Sequence, residues 1–186
     1  EEVVEITEEF GQKQLLMEEE QGEDLVVRFS QELLRIYAYE RLSLAKKRML
    51  HHQIAQGMED QLGDSLQHAQ LLNEIAYHYK MSKQPIKSLE YELHYLEATL
   101  QFHHELFPIY SREFGFIEKT DDSNQSAVLD QFDRIRREIE GLERKHQNHK
   151  DFQLLVLRFL YLEGRYAIRT GDYQQGMDNI QQVIIS

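Results

Sequence analysis

Residues 151–185 read DFQLLVLRFLYLEGRYAIRTGDYQQGMDNIQQVII. The spacing predicts two helices, Asp151 to Arg169 and Asp172 to Ile185, parted by Thr170 and Gly171, a pair with the chemistry of a turn. Moving upstream, Val128, Phe132, Ile135, Ile139 and Leu142 recur in steps of four and three, while Arg134, Arg136, Arg137, Glu138 and Glu140 fall outside that stripe. This is the pattern of an amphipathic helix with one apolar face. Ahead of it Lys119 to Asn124 reads as a polar loop ending in N-cap residues, and the aromatic stretch Leu106 to Lys119 takes no assignment.

Two further helices, Leu66 to Lys80 and Pro85 to Phe102, are linked by Met81-Ser82-Lys83-Gln84, with Pro85 where a first-turn proline is tolerated. Before them Ser30 and Ser43 are placed as N-caps of two runs, Gln31 to Glu40 and a longer one stopping near Gly63-Asp64. The longer run sets Leu44, Met49, Leu50, Ile54, Met58 and Leu62 along one face, with Lys46, Lys47, Gln53 and Glu59 elsewhere. The β signal sits in Leu15 to Phe29, where Leu15 to Glu20 and Leu25 to Phe29 flank Gln21-Gly22-Glu23-Asp24 as a hairpin would. Val3 to Phe10 is expected as a short helix ended by Gly11.

Helix pairs with short links cannot each bury both apolar faces, so they must stack on their neighbours. The expected fold class is mainly α, a right-handed α-α superhelix of repeats, with a short N-terminal β-hairpin.

The 186 residues carry 21 Lys plus Arg against 33 Asp plus Glu, a formal charge of −12 that repels phosphate, so no direct nucleic-acid contact is expected. With no cysteine there is no disulfide framework and no thiolate metal site, and a cytoplasmic location is expected. No apolar run reaches the roughly 20 residues of a membrane span. Two prolines leave few enforced helix stops. The start without Met and the uncapped end at Val183, Ile184 and Ile185 read as cuts through a longer protein. Self-association through Ile180, Val183, Ile184 and Ile185 is a further expectation.

Leu160, Gly164, Ala167, Gly171, Tyr173, Gly176, Ile180 and Val183 fall at the spacing of a tetratricopeptide repeat, which this pair resembles. The resemblance implies that small residues at Gly164 and Gly176 let the two helices approach, that Gly171 serves the turn and that Tyr173 packs back across it. Leu72, Ile75, Ala76, Tyr79, Ser88 and Tyr91 match less fully, and Tyr95 stands where the motif has a small residue. A second stretch, Leu25 to Ser43 followed by Arg48-Met49-Leu50-His51-His52-Gln53-Ile54-Ala55, resembles the junction between winged helix and repeats in large bacterial signal-transduction ATPases of the STAND type, including MalT-like and SARP-like transcriptional activators. Gln31 stands where that family commonly has His.

This second resemblance implies a division at residue 42. Residues 1–42 would be the end of a winged-helix-like module with its wing at 15–29, and 43–186 a tetratricopeptide-like domain cut at its C-terminus. ATPase and DNA-binding parts would lie outside. No Gly-x-x-x-x-Gly-Lys-Ser/Thr loop occurs, and the hairpin's Glu18, Glu19, Glu20, Glu23 and Asp24 suit protein contact better than phosphate.

Other chemistry reads as structural. His51-His52, His68, His78, His94, His103-His104-Glu105, His146 and His149 contain no His-Glu-x-x-His, and neighbours on a helix diverge by about 100 degrees, so caps and packing are expected and no metal or cofactor is assigned. Acidic runs such as Glu18-Glu19-Glu20 read as solvated surface, and no nucleophile motif is present. No catalytic residue and no enzymatic activity are expected.

The aromatic set Tyr77, Tyr79, Tyr91, Tyr95, Phe102, Phe107 and Tyr110 reads mainly as core, with Tyr77 and Tyr91 as candidate partner-binding residues. The expected function is regulatory: a repeat segment of a transcriptional regulator that senses a protein, a peptide or another ligand and contacts other domains of its own polypeptide. The alternative is a free-standing adaptor or peptide receptor.

Overall fold

A computed structural model describes residues 9–21, 24–62, 69–100 and 122–185. It is mainly helical with one antiparallel hairpin, and its contacts divide the chain into two compact units, Glu1–Lys47 and Arg48–Ser186.

The first unit holds β1 (Leu16–Gln21), β2 (Asp24–Phe29) and α1 (Glu32–Glu40). Leu16 pairs with Phe29 and Glu18 with Val27, and Arg28 reaches across to Glu19 at 3.3 Å. Charges along β1 discourage further strand pairing at its edge. Ser30 was expected to cap α1 but has another task. Its hydroxyl donates to the Gln14 carbonyl at 2.6 Å and its N–H to Leu15 at 3.0 Å, which closes the hairpin base, and Gln31 precedes the helix without a side-chain cap. Residues 9–12 are helical, so the turn before β1 runs through Gly11 instead of ending there.

Helix α2 (Leu44–Leu62) starts with the Ser43 hydroxyl accepting from the Lys46 N–H at 3.3 Å, the cap expected from sequence. The second unit continues with α3 (Ala69–Met81), α4 (Pro85–Leu100), α5 (Asp122–His146), α6 (Lys150–Thr170) and α7 (Tyr173–Ile185). The expected polar loop therefore gives way to helix at Asp122. The aromatic stretch from Leu106 to Lys119, with His68, Phe102 and His103 to Glu105, lies outside the described residues.

Among the described residues two cores hold this unit. Leu89, Leu93, Leu96 and Leu100 of α4 meet Phe132, Ile135 and Ile139 of α5 and Phe152, Leu155, Phe159 and Leu162 of α6, with Val128 and Leu142 at the margin. The predicted α5 stripe is thus the buried face. The second core joins Ala55 and Leu62 of α2 to Leu72, Ile75 and Tyr79 of α3. The face expected for α2 is met at its C-terminal part, where Leu62 is buried and Ile54 and Met58 are half-buried, but further upstream His51 and Ala55 are buried while Leu44, Met49 and Leu50 are exposed. Burying each large side chain contributes about 1.5–3 kcal/mol.

The pairs α3–α4 and α6–α7 repeat one local structure at an offset of 88 residues, the difference between Ser88 and Gly176. Lys83 and Gly171 both take left-handed backbone, φ 64 and 96. Lys83 N–H bonds to Lys80 and Gln84 N–H to Tyr79 at 3.1 and 3.0 Å, as Gly171 does to Ile168 and Asp172 to Ala167 at 3.2 and 2.8 Å. Ser82 and Thr170 hydroxyls cap the Tyr79 and Ala167 carbonyls at 2.9 and 3.1 Å. Across each pair a small residue meets backbone. A Cβ on Gly176 would lie 2.8 Å from the Gly164 carbonyl, and in the other pair Ser88 donates to the Ala76 carbonyl at 3.0 Å. Tyr173 does not pack back across the turn as expected, being 67% exposed.

Candidate functional site

The candidate residues Tyr77 and Tyr91 both belong to α3–α4 but serve different groups. On α2, Glu59 sits one helical turn beyond Ala55 and so faces the seam with α3 and α4. It accepts hydrogen bonds from the Tyr79 hydroxyl and from the Tyr91 hydroxyl at 2.6 Å, with Lys87 3.6 Å away. The two rings stack at 5.8 Å, and the Lys87 ammonium lies 5.9 Å from the Tyr91 centroid.

Burial pushes the Glu59 carboxyl up, but the two phenols and Lys87 outweigh it and hold the group below its ordinary value. Both phenols are pushed well up, first by burial and then by the carboxylate they serve. Tyr91 is thus a strut between α2 and α4. Its hydroxyl is already committed.

Tyr77 is half exposed and presents its ring to His51 and His78 in edge contacts at 5.8 and 5.3 Å. His51 Nδ1 and His78 Nδ1 stand 2.8 Å apart, so one must carry a proton and the other must not. Burial lowers the pKa of both, and at His78 the charge of His51 adds to it. His52 contacts the Gln84 amide through Nδ1 at 2.6 Å. His94 lies against the Arg158 guanidinium at 3.1 Å, and burial followed by that charge lowers its pKa. These histidines pack and bond between helices. Among the described residues no three His, Asp or Glu side chains are grouped to hold a metal.

The described residues also form a concave surface away from these groups. Between α3, α4 and α5 lies a cleft of about 450 Å³, lined by Asn73, by Tyr95 and Thr99, and by Gln131, Arg134 and Arg137. Ala127 and Val128 supply its apolar wall and Asp130 a carboxylate. Lys80 and Glu138 meet at 2.6 Å one stride further along, seven residues beyond Asn73 on α3 and seven beyond Gln131 on α5. The two helices therefore flank the cleft in the same sense.

The Gln131 Nε2 is buried and has no hydrogen-bond partner among the described residues. Arg137 spends its Nε on the Asp133 carbonyl at 3.1 Å, while Arg134 makes no hydrogen bond or close ion pair among the described residues. Behind it, burial and Glu138 raise the pKa of Glu92, with Lys80 and Arg134 pulling the other way. Sequence reading missed this cleft, because Arg134 and Arg137 lie outside the apolar stripe and pass for solvated charges. The available signal was their three-residue spacing, which gives two cations one helix face in an acidic chain.

No family model, curated protein or solved structure matches the chain.

Proposed function

We propose that this chain is a tetratricopeptide-like, superhelical repeat segment through which a larger transcriptional regulator senses a ligand or partner, with its DNA-binding and ATPase parts elsewhere in the polypeptide. The observation carrying the reading is the recurrence of one helix-turn-helix unit 88 residues apart, in hydrogen bonds, turn geometry and small contact residues together. Repeat pairs of this kind leave grooves between successive units, and grooves receive ligands. The cleft between α3, α4 and α5 is read as such a groove, and of its lining residues Gln131 has a buried amide nitrogen and Arg134 a guanidinium without a hydrogen-bond partner among the described residues.

In this reading the chain does no chemistry itself, acts in the cytoplasm and works by changing how its repeats hold other domains. The acidic hairpin suits contact with protein rather than phosphate. The test is to read the coding sequence on either side of these residues and assay the full-length protein on a reporter. The reading expects a Walker loop and a DNA-binding module, with ligand response lost when Gly176→Leu disrupts the α6–α7 contact. A full-length protein lacking both modules would overturn it.

A further inference from the structure

We propose that the cleft between α3, α4 and α5 binds a small organic anion through carboxylate or phosphate oxygens, with Arg134 and Arg137 as the charged contacts and Gln131 as an amide donor. The inference rests on the ligand-sensing reading only in needing a folded cleft, not in needing any regulatory output.

The physical case begins with what the cleft leaves unsatisfied. A buried amide nitrogen without a partner costs about 1–3 kcal/mol relative to a bonded one, and among the described residues the Nε2 of Gln131, a residue that lines the cleft, is such a group. Two guanidiniums three residues apart on one helix repel each other, and an anion between them removes that repulsion. Arg137 has its Nε tied to the Asp133 carbonyl, which orients the fork, while its two terminal nitrogens make no hydrogen bond among the described residues. Asn73 brings a further amide and Thr99 a hydroxyl from the facing helices, although that hydroxyl already donates to the Tyr95 carbonyl at 2.8 Å.

The other lining groups set the size and nature of the guest. About 450 Å³ falls in the range of small-molecule sites and is far more than a lone ion needs. Tyr95, Ala127 and Val128 offer apolar surface for a carbon body beside the charged end. Asp130 opposes a high negative charge and favours a ligand that also carries a donor such as an ammonium or hydroxyl. In a chain of formal charge −12, recruiting an anion from solution needs this local reversal of sign.

The test titrates the full chain with succinate and, separately, inorganic phosphate, each against sodium chloride at matched ionic strength. The readout is the ¹H-¹⁵N spectrum at the Gln131 side-chain amide and the Arg134 and Arg137 Nε–H. The proposal expects a saturable shift at these groups with at least one probe, and which probe binds tells a carboxylate source from a phosphate one. Arg134→Gln is exposed and keeps the fold, and it weakens binding by at least about tenfold, the loss expected for one charge-assisted hydrogen bond. Gln131→Leu weakens it too, while Arg144→Gln, near the other end of α5, leaves it unchanged.

The proposal is overturned if neither probe shifts these signals beyond the chloride control, or if Arg144→Gln weakens binding as much as Arg134→Gln. In either case a dispersed spectrum shows the repeat fold intact, so the cleft assignment fails without the repeat reading. A collapsed spectrum of the unsubstituted chain would overturn both together.

Discussion

At the scale of single residues, the glycines separate packing from propensity. A Cβ on Gly176 would stand 2.4 Å from Ile168 Cγ1 and 2.8 Å from the Gly164 carbonyl, and the backbone cannot yield cheaply. Gly176→Ala should therefore destabilise the protein by about 1–3 kcal/mol in urea unfolding followed by circular dichroism. Gly57 and Gly141 lie in helices with nothing near the added carbon, so Gly57→Ala and Gly141→Ala should each stabilise by about 0.5–1 kcal/mol. Equal effects at all three sites would contradict the close approach.

Titration follows the same logic. His51 and His78 have their pKa lowered by folding, so the unfolded chain binds more protons and stability rises with pH. Their contribution is present above the ordinary histidine value near 6.5, and it is lost as pH falls from there through the folded values. Glu59, also lowered, adds a second loss below its ordinary 4.5. Urea midpoints across pH should show His51→Phe flattening the upper window and leaving the lower one, and an unchanged upper window would contradict the Nδ1 pair.

At the scale of elements, the turns between paired helices carry the repeat. Lys83 holds a left-handed backbone that suits glycine better, whereas Gly171 already has the right residue. Lys83→Gly should raise stability and Gly171→Ala should lower it, each by about 1 kcal/mol, as thermal melts would record. Helix α2 is fastened to α3 and α4 by Glu59, and Tyr91→Phe removes one of its two phenol bonds for about 1 kcal/mol. Amide exchange along α2 should then quicken more than along α6.

These elements also show what was legible beforehand. The hairpin, the α5 stripe and the α6–α7 turn were readable because each rests on local spacing or a single glycine. The inward turn of His51 and Glu59 on α2 was not, since both meet partners on other helices, and no local pattern announces a partner 20 or more residues away. Ser30 misled for a similar reason, its hydroxyl being spent on Gln14. The cleft was hidden because Asn73, Thr99 and Arg134 are each ordinary alone and come together only through packing.

At the scale of the whole molecule, the hairpin unit and the helical unit are separate compact bodies. Within the helical one, stability is shared between two cores and the contacts that join successive pairs. Arg136 and Asn179 both hold the buried Glu163 of α6, Asn179 at 2.9 Å, and Arg158 pairs with Glu97 of α4. The two helix pairs α3–α4 and α6–α7 depend on small residues at their crossings, because Ser88 and Gly176 let each helix approach the backbone of its partner at Ala76 and Gly164. The most direct measurement is a nuclear Overhauser spectrum of the labelled chain. The account predicts strong interhelix cross-peaks both between Ala76 and Ser88 and between Gly164 and Gly176. One pair of peaks present with the other missing would contradict it.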